Sequence, residues 1–499
     1  MASTSRCAIA RPSRRLLAPL ALVASLLSAL LAPPAAVAAD VAAPAPGSLE
    51  ESQCWLRDGQ VRLALNGLQA ALERAPDALA RARAAAALGS ALLQANRLPD
   101  AERQLDAALA GPLQGRERAS ALLDLGNLQL ARGRPAPADA AWAQAAQAAP
   151  GDAEIALAAD LNRTRLLPVA QRLRRLQAAQ AAWAALPASV PGSVRARQAL
   201  NLGTQARDTG ADGLALAWQA LEDGRRQATA AGDDRLAAEA LDALAGLYDA
   251  QQRPADALRL VEQGIAAARR ADARDLLMNL EGRAARLLRA QGQAEPALAA
   301  YRRAVAHAEA VRSDIPVTYV DGRSSFRDTL EPLYLGLTDL LLRRASTAPG
   351  AERAPLLRQA RDTVELIKQT ELEDYLRDRC SVGSARNASA YVPPAGTALY
   401  YPIILPDRLE LLVETAAGIE RRSVTVAGDK LREQVLDFVA ALRNGNPLRA
   451  RAEALFKLLV APVEGLLTDQ HVHTLVVVPD GVLRMLPMGA LHDGRRWLL

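Results

Sequence analysis

The chain has 499 residues, 50% of them hydrophobic but only 3% aromatic, with 60 Lys and Arg against 55 Asp and Glu. That length exceeds one ordinary core and predicts two or more units. A charged fraction of 23% excludes a disordered polyelectrolyte and a multi-pass membrane protein. Scarce aromatics beside abundant Ala, Leu and Arg exclude a β-sandwich or propeller for the bulk of the chain.

The first 39 residues read as a secretory signal. Arg6, Arg11, Arg14 and Arg15 precede an apolar run over 16–31, then Pro33, Pro34 and the small residues Ala35 to Ala39, and no acid occurs before Asp40. This order of charged, apolar and small segments predicts cleavage near Ala38 or Ala39 and export to a bacterial periplasm or cell envelope. The competing reading, an uncleaved anchor, meets a run short for a span and closed by prolines. Without those four arginines, 56 basic residues face 55 acidic ones. A chain so near neutrality offers nothing to nucleic acid, nor to a membrane beyond the signal. Of three cysteines, Cys7 leaves with the signal, while Cys54 and Cys380 remain as an even pair in an exported chain. They predict a possible disulfide, the alternative being two separate thiols.

Residues 40–345 predict an array of helical repeats. Leu88-Gly89, Leu125-Gly126 and Leu202-Gly203 align, each followed by small and large residues at fixed offsets: Ala101, Leu105 and Ala108 in the first, Ala138, Trp142, Ala145 and Pro150 in the second. Two later units run Leu244-Ala245, Tyr248, Ala257, Val261, Gly264 and Ala284-Ala285, Leu288, Ala297, Tyr301, Ala304, and 154–186 fills the gap as a degenerate unit. These positions resemble the tetratricopeptide pattern, in which small residues let two antiparallel helices approach and a large one fills the space beside them. Stacked hairpins of this kind present a groove to a protein or peptide partner. Trp142, Trp183 and Trp218 read as core, and His307 as a packing or surface residue.

Beyond the repeats, 346–394 reads as a helical lead-in and linker, with a helix from Gln359 to Arg379. Residues 395–499 read as an α/β segment. Runs at 397–405, 408–415 and 419–426 predict an antiparallel meander, followed by helices at about 430–443 and 448–466. Thr474 to Val478, ended by Pro479-Asp480-Gly481, predicts a buried central strand. His471 and His473 are a weak metal pair without a third ligand, so no metal or cofactor is expected.

The stretch from Val478 to Leu491, with Pro479, Asp480, Gly481 and Pro487, resembles the start of the CHAT domain, a caspase-like domain associated with tetratricopeptide repeats. The fold expected is therefore mainly α, a repeat solenoid followed by part of an α/β caspase-like domain. The resemblance implies a cysteine peptidase that cuts a partner protein under control of the repeats. In the family the catalytic His and Cys stand in His-Gly and Ser-Ala-Cys segments well beyond the Pro-Asp-Gly motif. No Cys follows Cys380 in this sequence, and His471, His473 and His492 lack that context. No catalytic residue is carried over, and the 499-residue chain is expected to be inactive. Two readings stay open: a regulator of a caspase-like domain whose catalytic half is not in this sequence, or a non-catalytic periplasmic scaffold.

Overall fold

A computed structural model describes residues 48–312, 319–320, 323–324, 329–376 and 391–498. The expected signal and Cys380 lie outside them. The chain divides into two compact units, Met1–Ala273 and Arg274–Leu499.

The first unit is built of helix pairs: α1 (Leu49–Arg57) with α2 (Val61–Glu73), α3 (Ala78–Gln94) with α4 (Leu98–Ala110), and α5 (Gly115–Ala131) with α6 (Pro135–Ala148). The series continues with α7 (Ala153–Thr164) and α8 (Val169–Ala184), α9 (Gly192–Arg207) and α10 (Leu214–Ala230), and α11 (Asp234–Ala250) and α12 (Pro254–Arg270). From α3 onward the pairs start at 78, 115, 153, 192 and 234, a repeat of 37 to 42 residues. The ends are set by local chemistry. Asp77, Asp152 and Asp233 cap α3, α7 and α11 by accepting backbone N–H groups, which satisfies donors that the first turn leaves free. Pro99, Pro135 and Pro254 open α4, α6 and α12, where a missing N–H costs nothing. The tight turns inside pairs use one left-handed residue, among them Gly59, Asn96, Gly133 and Gln252.

The aligned glycines mark where two helices touch. A Cβ on Gly89 would stand 2.7 Å from Leu105, one on Gly203 2.6 Å from Leu221, and one on Gly126 2.2 Å from the indole of Trp142. Ala245 and Val261, both fully buried, hold the equivalent places in α11 and α12. Trp142 and Trp183 are buried, as expected, but Trp218 is 47% exposed. Its neighbours Ala217 and Leu221 are the residues that face inward, so helical spacing places Trp218 just off the buried stripe. There its Nε1 donates to the Tyr248 hydroxyl at 3.2 Å, and Arg253 lies 4.6 Å from the Tyr248 ring centre.

The second unit opens with the hairpin α13 (Arg274–Ala290) and α14 (Ala294–Val311), in which His307 is half-buried. A two-residue ribbon follows, β1 (Tyr319–Val320) antiparallel to β2 (Arg323–Ser324). Then come α15 (Glu331–Thr347) and α16 (Gly350–Leu376). The latter begins nine residues before the expected Gln359 and carries Pro355 inside it, where proline removes one helical hydrogen bond. Gly336 of α15 seats Tyr301 of α14, whose ring carbon would be 2.4 Å from a Cβ there.

The meander is as expected: β3 (Thr397–Ile404), β4 (Leu409–Thr415) and β5 (Gly418–Val424) pair antiparallel, with Leu399 opposite Glu414 and Leu409 opposite Val424. Next are α17 (Gly428–Arg443), α18 (Arg449–Leu459) and α19 (Ala461–Asp469). The single helix expected over 448–466 is broken at Val460, because Pro462 lies in the first turn of α19 and removes a helical hydrogen bond. Finally β6 (Thr474–Val477) runs parallel to β3, and the sheet order is β5-β4-β3-β6. The expectation of a buried central strand is corrected here. Among the described residues β6 is an edge, Thr474 and Val476 are exposed, and Val476 is 42% accessible. One sheet face, with Ala398, Tyr400, Leu409, Leu411 and Val413, packs on Leu431, Phe438, Leu455 and Val463 of the last helices.

Candidate functional site: the groove and the Pro-Asp-Gly turn

In the first unit α1 packs on α3, α3 on α5, α5 on α7, α7 on α9 and α9 on α11, while the second helices of successive pairs do not pack comparably. Closer approach among the first helices puts them on the inner side of a curved array. Ser90 of α3 donates to Asp124 of α5 across two such helices. Nearby, Asn127 Oδ1 is buried without a hydrogen-bond partner. Gln198 and Gln205 of α9 donate to the carbonyls of Glu154 and Leu161 in α7, both at 3.0 Å, and so tie two inner helices together.

Burial pushes the Asp124 carboxyl from 3.8 up to about 6, against the downward pull of the Ser90 hydrogen bond. A carboxyl raised by folding binds its proton more tightly in the folded state, so it weakens the fold as pH rises through roughly 4 to 6 and leaves it weaker above. The whole rise would be worth at most about 3 kcal/mol. Asp124 is not fully sealed from solvent, so about 1–2 kcal/mol is the expected size. Asp124→Asn should therefore raise the melting temperature at pH 7.5 and give no gain near pH 4. Equal gains at both pH values would rule out the buried carboxylate as the cause.

In the second unit the Pro-Asp-Gly motif is a turn that ends β6 and sends the chain back over the core. The Val478 N–H donates to the Tyr400 carbonyl at 2.8 Å, the last rung to β3. Lys368 of α16 donates through Nζ to the Pro479 carbonyl at 2.8 Å. Asp480 accepts the Gly481 N–H at 2.7 Å and pairs with Arg484 at 3.1 Å. Gly481 has φ +52°, a left-handed value that favours glycine. Short 3-10 turns over Gly481–Met485 and Met488–Ala490 follow, with Pro487 between them. They set Leu483, Leu486 and Leu491 into the core. All four motif residues thus shape and anchor a turn. Sequence reasoning missed Lys368, which stands 111 positions before the carbonyl it holds.

The histidines do not converge. His473 lies against Gly396, whose added Cβ would stand 2.1 Å from Nε2, and its Nδ1 is 3.0 Å from Thr474 Oγ1. His471 is exposed with φ +51°. His492 is buried, accepts the Gly494 N–H through Nδ1 at 2.9 Å and meets Trp497 edge-on at 4.8 Å. Among the described residues no three His, Cys, Asp or Glu side chains are grouped to hold a metal ion. Nor is any described helix long and apolar enough to cross a membrane.

Cys54, buried in α1, is disulfide-bonded. A bond to Cys380 would close a loop long enough to contribute on the order of 5 kcal/mol in the chain-entropy account. The expected result is that mature protein, denatured without reductant, shows no free thiol. Two free thiols would remove the pairing.

Residues 449–499 match the family model of the CHAT domain. The C-terminal tenth of the chain is thus similar to part of a CHAT domain. The matched CHAT segment includes α18, α19, β6 and the turn, and its one strand pairs with β3, so the sheet it belongs to begins before the match. No curated protein matches the sequence. Similar solved structures include the APC/C hetero-tetramer Cut9-Hcn1, at 15% identity and TM-score 0.36 over 52% of this chain and 45% of that one. The sequence thus spans less than half of that chain. A tetratricopeptide repeat protein from Parabacteroides merdae gives 15% identity and TM-score 0.32 over 53% of this chain and 95% of that one. A Rap protein complexed with Competence and Sporulation Factor gives 14% identity and TM-score 0.37 over 66% and 88%. Scores so low carry no functional argument, and the repeat assignment rests on the helix pairs and their glycine contacts.

Proposed function

We propose that this chain is an exported repeat protein whose groove binds a protein or peptide partner and so regulates a caspase-like cysteine peptidase domain of the CHAT family. The observation that carries this is the row of first helices packed side by side on the inner face, with Ser90 and Asp124 meeting across it. A curved inner face of this kind is the surface on which helical repeats hold extended chains. The charged-apolar-small order of residues 1–39 supports export. Catalysis is not assigned to any residue here, because the sequence has no Cys after Cys380.

Site-specific photocrosslinking in the cell envelope tests the reading. Gln94 and Ser120 are exposed one helical turn from Ser90 and Asp124 on the same faces. Gln144, exposed on α6, is the control on a second helix. A discrete crosslinked polypeptide is expected from Gln94 and Ser120 and not from Gln144. Crosslinking only from Gln144, or none outside the cytoplasm, would defeat it.

A further inference from the structure

Stacked hairpins ordinarily touch only their neighbours. One contact in the first unit departs from this. The turn between α1 and α2, Asp58-Gly59, meets Arg235 in the first turn of α11, 177 residues after Asp58. Arg235 Nη1 donates to the Asp58 carbonyl at 3.3 Å. A Cβ on Gly59 would stand 2.9 Å from Nη2 and 3.1 Å from Nη1, so the guanidinium rests against the bare α-carbon. Gly59 has φ +78°, and both the turn shape and the close approach therefore require glycine. The Arg235 side chain is only 17% exposed and also faces Glu239 at 3.6 Å. The Asp58 carboxyl is pushed upward by desolvation, with Arg57 and Arg235 pulling it down.

Four helix pairs, α3/α4 to α9/α10, lie between the two partners in sequence. The array therefore curls until its first turn meets the start of its sixth pair. Because the first helices are on the inner side, this contact closes the groove laterally. In it one side chain meets one turn. Such a contact can break while every pair remains packed, since each pair is held by its own neighbours.

We propose that Asp58-Gly59 and Arg235 form a clasp that holds the groove closed, and that α1 and α2 swing away from Arg235 to admit a polypeptide from the side. The admission step rests on the partner-binding reading above. The clasp itself is read without any partner, so the two fail separately.

The test is double electron–electron resonance between spin-labelled unnatural residues at Gln53 on α1 and Gln251 after α11, both exposed, in the full chain. Measurements are made with and without reductant, because Cys54, one turn before Asp58, is disulfide-bonded. The parent protein is expected to give one narrow distance. Arg235→Ala and Gly59→Val attack the contact from opposite sides, and each should shift the distribution to longer, broader distances, in reductant at least. Glu239→Gln, which removes a carboxylate facing Arg235 at 3.6 Å, should leave the narrow peak. Circular dichroism confirms that each variant keeps its helix content, and Arg235→Ala alone suffices where valine at +78° prevents folding. Unchanged distances in folded Arg235→Ala under reducing conditions would overturn the clasp. So would a shift in Glu239→Gln as large as in Arg235→Ala.

Discussion

Trp142→Ala should lower the stability of the first unit by about 3–5 kcal/mol, the range for removing a large buried aromatic. Trp142 is fully buried against Ala138 and Ala159, and its Nε1 donates to the Leu123 carbonyl at 3.2 Å. The space it fills exists because position 126 has no side chain. Gly126→Ala puts a methyl 2.2 Å from Nε1, and a rigid indole pinned by a hydrogen bond has little room to yield. Overpacking of this kind costs about 1–3 kcal/mol, offset in part by a gain of up to about 1 kcal/mol from helix propensity. The two positions should be strongly coupled. Once Trp142 is alanine, the extra methyl at 126 meets a cavity, and Gly126→Ala should become neutral or stabilising. Urea unfolding of the four-member cycle measures this. Additive effects within about 0.5 kcal/mol would mean that the aligned glycines are not spacers for the large residue of the partner helix.

The same pair shows what was readable in advance. A glycine sixteen residues before a large apolar residue, recurring at Gly89 with Leu105 and Gly126 with Trp142, encodes a contact between helices adjacent in sequence, and local pattern suffices to find it. The meander was legible for a similar reason, since its strands are joined by short turns at Pro406-Asp407 and Ala416-Ala417. Three features were not. Trp218 has the spacing of a core residue but falls at the margin of the buried stripe, and one position of helical rotation decides exposure. The apolar run Thr474 to Val477 carries the composition of a two-sided strand, yet composition cannot say whether a neighbour pairs with its far edge. The clasp joins residues separated by 177 positions, and no local signal marks Arg235 among the many arginines of the array. Lys368 and the Pro479 carbonyl share that difficulty, because a backbone acceptor leaves no trace in the sequence at all.

The buried charges of the second unit were also hidden, and they carry the other large effect. Glu410, Glu414 and Asp339 read as ordinary solvated acids, but all three are buried. On β4, Leu409, Leu411 and Val413 face the apolar core, which by strand alternation puts Glu410 and Glu414 on the opposite face. Glu414 is met there by Arg361 of α16. Arg408 spans the remaining two acids, pairing with Glu410 and holding Asp339 of α15 at 2.6 Å. Desolvation pulls the Arg408 guanidinium down, but its bonds to Glu410 and Asp339 together hold it above its ordinary value. Removing one partner from a buried ionic group costs about 3–5 kcal/mol, because the remaining charge stays desolvated. Here the acids keep other partners. Arg421 contacts Glu410 twice at 2.7 Å, and Arg289 and Arg343 reach Asp339 at 2.6 and 3.0 Å. Arg408→Met is therefore expected near the lower end, about 3 kcal/mol. Adding Asp339→Asn to Arg408→Met should cost less than the sum of the two single changes, since the neutral amide no longer needs the guanidinium. The purified full chain, unfolded by denaturant and followed at the tyrosines of the second unit, reads both values. A loss below about 0.5 kcal/mol for Arg408→Met, the size of an exposed surface pair, would show that the network is open to water and that α15 and the sheet are joined by apolar packing alone.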